Sequence, residues 1–550
     1  MNNFSESYKE KNSERKNKDG NSPSLKAASI ELPKGGGAIK GIEEKFQVNA
    51  VNGTASFVIP IPLSPSRQGF VPSLALSYNS GIGNGPFGMG WQLSVPMIAR
   101  KTGKKLPEYK DDDGSDTFVL SDAEDLVPLL EKQNDAWIPL KKTKTENGIL
   151  FSIICYRTRL ESAFIRIEKW INTITGETHW KTITKENIHS YFGLSNASRL
   201  HDPKDENRIF QWMLCYTHDD KGNICIYNYK KENFSDVDPK LNEKNRIGAC
   251  TQIYLKQVWY GNKKTYYLGD PIPTEADFMF KVVFDFGEHE TIEPLTKNVS
   301  EETGKWSCRK DPFSSYRAGF EIRTYRRCNR ILILHCFDNN ELPLNPYLVK
   351  SLQFFYNENL ELPDKINLTG FSFLMTIRQN GHKWDQANTV YSTAYLPETT
   401  LNYQPHCWNT SIQAVKQDQL MNSPSGLSTK NYLWTDLFNE GIAGILTEQA
   451  NGWFYKSNLG NAEFSSANIV ATMPNFKGLS SNTVSLQELE GNGVKYLVHY
   501  EKQPTGFFKL SDEMEWQAFK NFSSFPSMDF SDPNLRTLDL NGNALCLGVP

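Results

Sequence analysis

The chain has 550 residues, of which 39% are hydrophobic, 12% aromatic and 22% charged, and its formal net charge at pH 7 is −3. This composition predicts a core-forming chain of about three or four domains of roughly 150 residues, or fewer large β domains. The near-neutral charge argues against a basic surface for nucleic acid or an anionic membrane, and no apolar run approaches the roughly 20 residues of a membrane-spanning helix.

Residues 1–33 are rich in Lys, Glu, Asn and Ser and contain very few apolar side chains, so we predict a disordered, charged tail. The tail has no apolar core of the kind found in secretory signal peptides. The nine cysteines are scattered, odd in number and without a C-x-x-C pair. These features predict reduced thiols and synthesis in the cytoplasm, with export by an unusual route or by lysis left open.

Three segments between Gly35 and Trp91 alternate apolar and polar residues, which is typical of strands with one buried face. Gly and Pro residues between them supply turns. The alternating residues are Phe46, Val48 and Ala50, then Phe57, Ile59 and Ile61, then Leu74, Leu76 and Tyr78. We therefore expect this stretch to begin a large β structure that binds or encloses something.

The next feature is an acidic cluster, Lys110-Asp111-Asp112-Asp113-Gly114-Ser115-Asp116. It superficially resembles a calcium loop, but it lacks the D-x-D-x-D-G order and the distant bidentate Glu of an EF-hand. We interpret it as an acidic turn between two strands.

From residue 151 to 286 the pattern predicts successive hairpins. A Thr175-Gly176-Glu177 turn separates two β-type segments, and a five-residue loop, Asp219–Asn223, separates two more. Strict alternation extends over Phe278–Phe286, and no helix of comparable strength is predicted.

Six arginines lie between Arg309 and Arg330, interleaved with aromatic residues. They can form an anion or nucleic-acid patch, or they can stack on aromatic rings and pair with acids. We favour pairing because the whole chain is slightly acidic. Strand alternation predicts Phe320, Ile322 and Thr324 inside, with Glu321, Arg323 and Tyr325 facing out.

An internal repeat occupies the last third of the chain. Asp436–Gly441 recurs as Glu488–Gly493 and as Asp539–Ala544, at spacings of about 50 residues. This period, with its acidic Gly turns, favours β-propeller blades. Calcium at the turns is the alternative to a turn held by Gly, but carboxylates are few. Because two blades and a partial third cannot close a ring, we expect either a fragment or a propeller completed by another chain.

Several separated blocks together resemble the SpvB/TcaC family, the N-terminal module of the Tc-toxin B component. The repeats resemble the FG-GAP (VCBS) blades of the same family. The blocks are Gly35–Ile39, Gly53–Ala55, Pro60–Pro62, Ser80–Gly85, Phe87–Trp91, Phe210–Trp212, Tyr260–Asn262 and Asp311–Glu321.

This resemblance implies a β-rich shell that joins a C component, and both components carry Rhs-type repeats. Asp219-x-x-Gly222-Asn223 with Tyr227 is similar to one such repeat unit. The shell would enclose a toxic polypeptide, and a propeller gate would dock on the pore-forming A component. The resemblance therefore implies enclosure and delivery without turnover, and release as part of a toxin complex. This chain is much shorter than a full B component.

Two other functions remain open. SpvB-type toxins join this module to an ADP-ribosyltransferase domain, but the nearest motif pieces here, Ser392-Thr393-Ala394 and Glu513-Met514-Glu515, lie about 120 residues apart. FG-GAP blades also occur in adhesins, although the missing secretory signal argues against an adhesin. The pairs His335-Cys336 and His406-Cys407 lack a second ligand pair at zinc spacing.

We therefore predict an all-β protein with three parts: a tail at 1–33, an SpvB-type β domain with Rhs-like hairpins at 34–425, and the first blades of a truncated propeller at 426–550. The boundary is placed at the loop Asn422–Gly426. We predict a protein that is not an enzyme, and we name no catalytic, cofactor-binding or metal-binding residue.

Overall fold

The computed structural model describes residues 45–48 and 55–549, with gaps at 104, 112–113, 122–123, 134, 160–163, 245, 247–249, 339–340, 358–369, 404–410, 413, 424–431, 439, 450–451, 471–483, 491–493, 501–503, 512–514, 525–531, 533–535 and 539–546. The predicted tail and the Gly35–Gly37 run lie outside the described residues. The described chain is built almost entirely of antiparallel strands, so the predicted all-β class is confirmed. Its α-helix is the four-residue α1 (Leu241–Lys244), and short 3-10 turns lie at Arg67–Gly69, Asn196–Ser198, Glu275–Asp277, Lys297–Ser300 and Gln417–Leu420.

The first sheet contains the predicted N-terminal strands. It is formed by β1 (Lys45–Val48), β2 (Ala55–Pro60), β3 (Ala75–Asn79) and β6 (Trp91–Leu93), and a small hairpin of β4 (Asn84–Gly85) and β5 (Gly88–Met89) lies beside it. Ile59 and Leu76 are fully buried, as their alternation predicts. The side chains of β1 and of Ala50 lie outside the described residues.

Eight strands pair antiparallel in a closed ring. They are β7 (Met97–Arg100), β8 (Phe118–Leu120), β9 (Glu124–Pro128), β13 (Ile149–Thr158), β14 (Arg166–Asn172), β15 (Thr178–Ile183), β16 (His189–Phe192) and β18 (Asp205–His218). Each pairs with the next, and β18 returns to β7. An eight-stranded barrel is just wide enough to be filled by its own side chains. Outside the ring, β12 (Lys141–Glu146) pairs with β13, β17 (Arg199–Asp202) pairs with β18, and β10 (Leu130–Gln133) and β11 (Ala136–Pro139) form a separate hairpin.

The long strand β18 also begins a large meander. The meander continues through β19 (Ile224–Lys231), β20 (Ile253–Asn262), β21 (Phe278–Asp285), β24 (Arg330–His335), β25 (Tyr347–Tyr356), β26 (Leu374–Asp385) and β27 (Val390–Tyr395), and β28 (Thr399–Thr400) also pairs with β26. The hairpins predicted around Thr175–Glu177 and Asp219–Asn223 are confirmed by the pairs β14–β15 and β18–β19.

The meander is buried on both faces. One face shares a core with the first sheet and the barrel, in which Ile59, Trp91, Tyr260 and Phe284 take part. The other face forms a second cluster around Val283 with Leu295 and Val299, which lie on the segment after β21. Alternation along β21 predicted one buried face, but almost every β21 side chain is buried because this segment folds back over the sheet.

Two four-stranded sheets make up the C-terminal part. The first contains β29 (Tyr432–Thr435), β30 (Gly444–Gln449), β31 (Gly452–Lys456) and β34 (Asn468–Ile469), and the second contains β35 (Val484–Gln487), β36 (Tyr496–His499), β37 (Gly506–Lys509) and β38 (Lys520–Asn521). Short pairs are formed by β32 (Asn458–Gly460) with β33 (Glu463–Phe464), and by β39 (Arg536–Leu538) with β40 (Leu547–Val549).

The internal repeat coincides with these sheets, since its first two acidic turns connect β29 to β30 and β35 to β36. The sheets share one buried cluster, in which the Trp453 and Trp516 rings lie 6.4 Å apart. The third turn lies outside the described residues, and closure into a propeller stays a prediction. No helix among the described residues is long and apolar enough to cross a membrane.

Candidate functional site

Aromatic side chains around two buried cations fill the barrel. The Phe118 and Trp180 ring centroids are 4.9 Å apart, and those of Trp180 and Trp212 are 5.9 Å apart. Arg100 and Lys169 are 3% and 1% exposed, and each lies over the Phe118 ring, at 5.2 and 4.7 Å. Buried cations are normally paired with anions, and contacts with aromatic rings add to their stabilisation.

The acidic segment supplies these anions. Asp116 Oδ2 lies 2.7 Å from Arg100 Nη1, and Asp111 Oδ2 lies 2.6 Å from Lys169 Nζ. Burial raises the pKa of Asp111, but its hydrogen bond to Arg100 and the nearby Lys169 charge outweigh burial and lower the pKa to about 2. The predicted acidic turn between two strands is confirmed, because the segment joins β7 to β8. Its neutralisation of cations inside the barrel could not be seen from the sequence.

The two most specific sequence blocks meet in one hydrogen-bonded junction. Arg309 pairs with Asp311 through two bonds, of 2.8 and 2.9 Å, and donates to the carbonyl oxygen of Gly85. Asp311 also accepts from Asn84 Nδ2 at 2.8 Å and from Ser372 Oγ at 2.6 Å. Burial opposes ionisation of Asp311, but these donors, led by Arg309, lower its pKa to about 2. Asp311 therefore cross-links three distant parts of the chain.

A small cavity of about 160 Å³ lies beside this junction. Its lining residues are Lys310, Asp311, Asn357, Gly370, Phe371 and Ser372. Both carboxylate oxygens of Asp311 already accept hydrogen bonds from the protein. The carboxylate therefore stabilises the junction.

Glycine is required at Gly88 within this junction. Gly88 has a φ of +91°, and a Cβ there would lie 2.7 Å from the carbonyl oxygen of Ser372. The Phe87–Trp91 block is therefore a packing requirement of the fold.

The arginine-rich block is paired and stacked, as predicted. Arg326 Nε lies 2.8 Å from Glu232 Oε1, and Arg330 Nε lies 2.6 Å from Asp285 Oδ2. Arg327 lies 4.0 Å from the Tyr356 ring centroid. These contacts stabilise the positive charges of the three buried arginines within the protein.

One detail of that prediction is wrong, because Arg323 and Tyr325 do not face solvent. They are 8% and 0% exposed, and both contact Glu243 of helix α1. The segment that carries α1 covers this face of β23 (Ile322–Thr324), which pairs with β22 (Phe313–Ser315). Strand alternation could not reveal this cover.

The turns of the candidate repeat units are held by their own carboxylates. Asp219 Oδ1 accepts the amide hydrogens of Lys221 and Asn223, at 2.9 and 2.8 Å. Asp436 accepts those of Glu440 and Gly441, at 2.7 and 2.8 Å. Calcium at the turns of the C-terminal repeat stays a prediction.

A group of possible metal ligands was missed by sequence reasoning. Oxygen or nitrogen atoms of Glu288, His289 and Glu302 all lie within 4.8 Å of one another. The Lys256 ammonium lies among them, 2.6 Å from Glu288 Oε1, 3.0 Å from His289 Nε2 and 3.5 Å from Glu302 Oε1. A side-chain cation thus takes the position that a metal would need. Only the tertiary structure brings Lys256 to these acids.

The other sequence candidates do not converge on a site. His335 Nε2 bonds to Ser64 Oγ at 2.7 Å, and Ser392–Ala394 lies on β27, where Thr393 contacts His382. His406, Cys407, Glu513 and Met514 lie outside the described residues. The cysteines in the described chain are free thiols.

These features define a β-built module stabilised by internal ion pairs. The sequence model of the family described as Salmonella virulence plasmid 65kDa B protein matches residues 49–337. The chain therefore belongs to the SpvB family, and the predicted resemblance is confirmed; its FG-GAP and Rhs elements stay predictions.

Relatives include the mono(ADP-ribosyl)transferases SpvB of Salmonella typhimurium strain 14028s and Salmonella dublin. Each is 35% identical over 336 residues, which is 60% of this chain and 54% of the relative. The chain thus spans about half the length of the curated relatives it matches.

Three solved structures are also similar. The Photorhabdus luminescens Tc holotoxin pore is 28% identical, with a TM-score of 0.63 over 96% of this chain and 24% of that one. The TcdB2–TccC3 crystal structure is 27% identical, with a TM-score of 0.62 over 93% and 24%. The N-terminal domain of effector protein SpvB from Salmonella typhimurium strain LT2 is 32% identical, with a TM-score of 0.52 over 59% and 98%.

The prediction that this protein is not an enzyme is wrong, because the relatives are named mono(ADP-ribosyl)transferases. The error has a clear origin. That prediction depended on incomplete transferase motifs, whereas the segment shared with SpvB corresponds to the N-terminal domain of that protein.

Proposed function

We propose that the chain is the N-terminal β module of an SpvB-type toxin and holds a toxic domain of the same polypeptide. The match to the SpvB N-terminal domain, at 98% coverage of that domain, carries this proposal. Since the relatives are mono(ADP-ribosyl)transferases, the proposed activity of the whole protein is transfer of ADP-ribose from NAD.

The internal pairing supports a scaffold role for the described module. Its buried cations are bound to its own acids at the barrel and at the motif junction. Such groups fix side-chain positions and leave the outer surface to contact a toxic domain.

The test uses the whole reading frame that contains residues 1–550. The purified product is incubated with labelled NAD and a eukaryotic lysate, and transfer to protein is measured against a heat-denatured control. Labelled acceptor proteins would support the proposal. A reading frame without a transferase domain, together with no labelling, would contradict it.

A second candidate is a subunit of a Tc-type complex, and one observation favours it. The likeness to the Tc holotoxin covers 96% of this chain, whereas the SpvB domain covers 59%. In this case the module would form part of a β shell and gate around a toxic polypeptide. Its partners would be a C component carrying Rhs repeats and cargo, and a pore-forming A component.

Co-expression with C-type and A-type proteins of the same source tests the second candidate. Elution of all three chains together from size exclusion supports a Tc-type complex. Elution of this chain alone, with the other two joined, contradicts it.

We further propose a division into two β units near residue 425, with synthesis in the cytoplasm and release as part of a toxin complex. Lys456 Nζ donates to the carbonyl oxygens of Gln419 and Met421, at 2.6 and 2.9 Å. These contacts join the end of the first unit to the second. Once the N-terminal tail is removed, limited proteolysis should cut first near residue 425, and a first internal cut elsewhere would contradict this division.

A further inference from the structure

One strand pair that closes the barrel is a short ladder of stacked rings. Strand β16 pairs with β18 through four residues, and the register shifts between Tyr191 and Phe192. His189 and His218 are direct partners, with ring centroids 4.7 Å apart and planes inclined by 22°. Tyr191 and Tyr216 stack beside them at 4.4 Å.

Each imidazole of the histidine pair donates a hydrogen bond through one ring nitrogen, and its other ring nitrogen has no hydrogen-bond partner. His189 Nε2 lies 3.0 Å from Asn187 Oδ1, and His218 Nδ1 lies 3.3 Å from the carbonyl oxygen of Asp219. Both partners are acceptors, so each of these nitrogens carries a proton. His189 Nδ1 and His218 Nε2 are buried with no hydrogen-bond partner.

A proton added to His189 Nδ1 or His218 Nε2 would therefore find no acceptor. A buried N–H without a partner is costly because it loses its hydration. If both rings took up a proton, two like charges would also be stacked at 4.7 Å. Acid thus opposes this contact in two independent ways.

The charged surroundings strengthen the effect. Lys181 of β15 lies 5.0 Å from the Tyr191 ring, and Arg166 of β14 adds a second positive charge. Two carboxylates act in the opposite direction. Glu168 is already bound by Arg166 and by Trp170 Nε1, and Asp219 follows His218 in the chain. Tyr266 contacts His218 edge-on and carries no charge.

Burial and the neighbouring positive charges lower the pKa of His189 to about 4. Burial likewise lowers the pKa of His218, although its bond to the Asp219 carbonyl opposes this. Both effects agree with the geometry.

We propose that the His189–His218 pair is an acid-sensitive contact. It stabilises the pairing of β16 with β18, and so the closed barrel, at neutral pH, and this pairing weakens as the pH falls. An unfolded histidine has a pKa near 6.5. The open state therefore binds more protons than the closed state, and stability falls as the pH decreases from about 6.5 towards 4. This inference concerns the fold and does not rest on the proposed function.

Hydrogen exchange of the full chain tests the proposal. Amide exchange in β16, corrected for intrinsic rates, should become about tenfold faster or more between pH 7.5 and 4.5, relative to the reference strand β31. In the double variant His189→Phe with His218→Phe, which keeps two stacked rings without titration, this acceleration should be lost. The matched control His201→Phe changes a half-buried histidine on β17 and should behave like the wild type.

Exchange of the imidazole carbon-bound hydrogens measures both histidine pKa values in the unmodified chain. Values clearly below 6.5 for His189 and His218 are expected, and an ordinary value for either would overturn the proposal. It would also be overturned if β16 opened with the same pH dependence in the double variant. Should that variant fail to fold, His218→Phe alone and the wild-type titration decide.

Discussion

Replacing Arg326 by Met removes the cation from a fully buried ion pair. The side chains of Arg326 and Glu232 are both 0% exposed, with Nε and Oε1 2.8 Å apart. Arg326 lies 4.5 Å from the Trp306 ring centroid and donates to the Asn233 carbonyl oxygen at 2.7 Å. Without Arg326, Glu232 would keep neutral donors: Tyr254 Oη at 2.5 Å, and the amides of Tyr325 and Asn233, each at 2.9 Å.

The expected loss is about 3 to 5 kcal/mol, the usual cost of leaving one charge of a buried pair uncompensated. The double variant Arg326→Met with Glu232→Gln removes both charges. We therefore expect the double variant to be at least about 2 kcal/mol more stable than the sum of the single effects. Urea unfolding followed by tryptophan fluorescence measures these differences from the midpoint and slope.

The control is Arg317→Met, which changes an exposed arginine of the same block. Its effect should stay within about 0.5 kcal/mol. A loss below about 1 kcal/mol for Arg326→Met, or additive single and double effects, would refute the reasoning that internal pairing stabilises this block.

Three further predictions follow from single contacts. Gly88→Ala should lower the free energy of unfolding in urea by about 1 to 3 kcal/mol, since it combines a positive φ with a contact to the Ser372 carbonyl oxygen. The control Gly176→Ala has a similar φ and open space, so it should cost less. Equal costs would show that the carbonyl contact does not contribute. Lys256→Ala should create a divalent-cation site, so Zn²⁺ should raise the melting temperature of the variant and not of the wild type; an equal response would show that Lys256 does not block the ligands. Because the pKa values of Asp111 and Asp311 are about 2, the stability they contribute is present above pH 4 and is lost as the pH falls towards 2. Asp311→Asn should remove about 1 to 2 kcal/mol of this acid dependence. An unchanged acid unfolding curve would contradict the role of the ionised Asp311 carboxylate in stability.

Much of the local structure could be predicted because it depends on neighbouring residues. The buried set Phe210, Trp212, Leu214 and Tyr216 alternates in β18 as its sequence indicates. The five-residue loop after His218 and the two acidic turns of the C-terminal repeat also occupy their predicted places. In each case the side-chain period and the turn residues specify the local conformation.

The prediction that the protein is not an enzyme was wrong because the deciding information lay outside the shared segment. The enzyme class of the relatives could not be inferred from the residues of the shared β domain. Motif pieces such as Ser392–Ala394 only occupy a strand here, where Thr393 contacts His382.

The amino-acid sequence alone determined the strands, their turns and the family, because these depend on short-range periodicity and on contiguous blocks. Only the tertiary structure decided that β18 returns to β7, that Asp111 reaches Lys169, and that Lys256 lies among three side chains that could hold a metal ion. The physical reason is that a buried charge takes whichever partner the folded chain brings within about 3 Å. Lys169 pairs with Asp111, 58 residues away in the sequence, and Lys256 pairs with Glu288, 32 residues away. No local sequence pattern indicates partners at such separations.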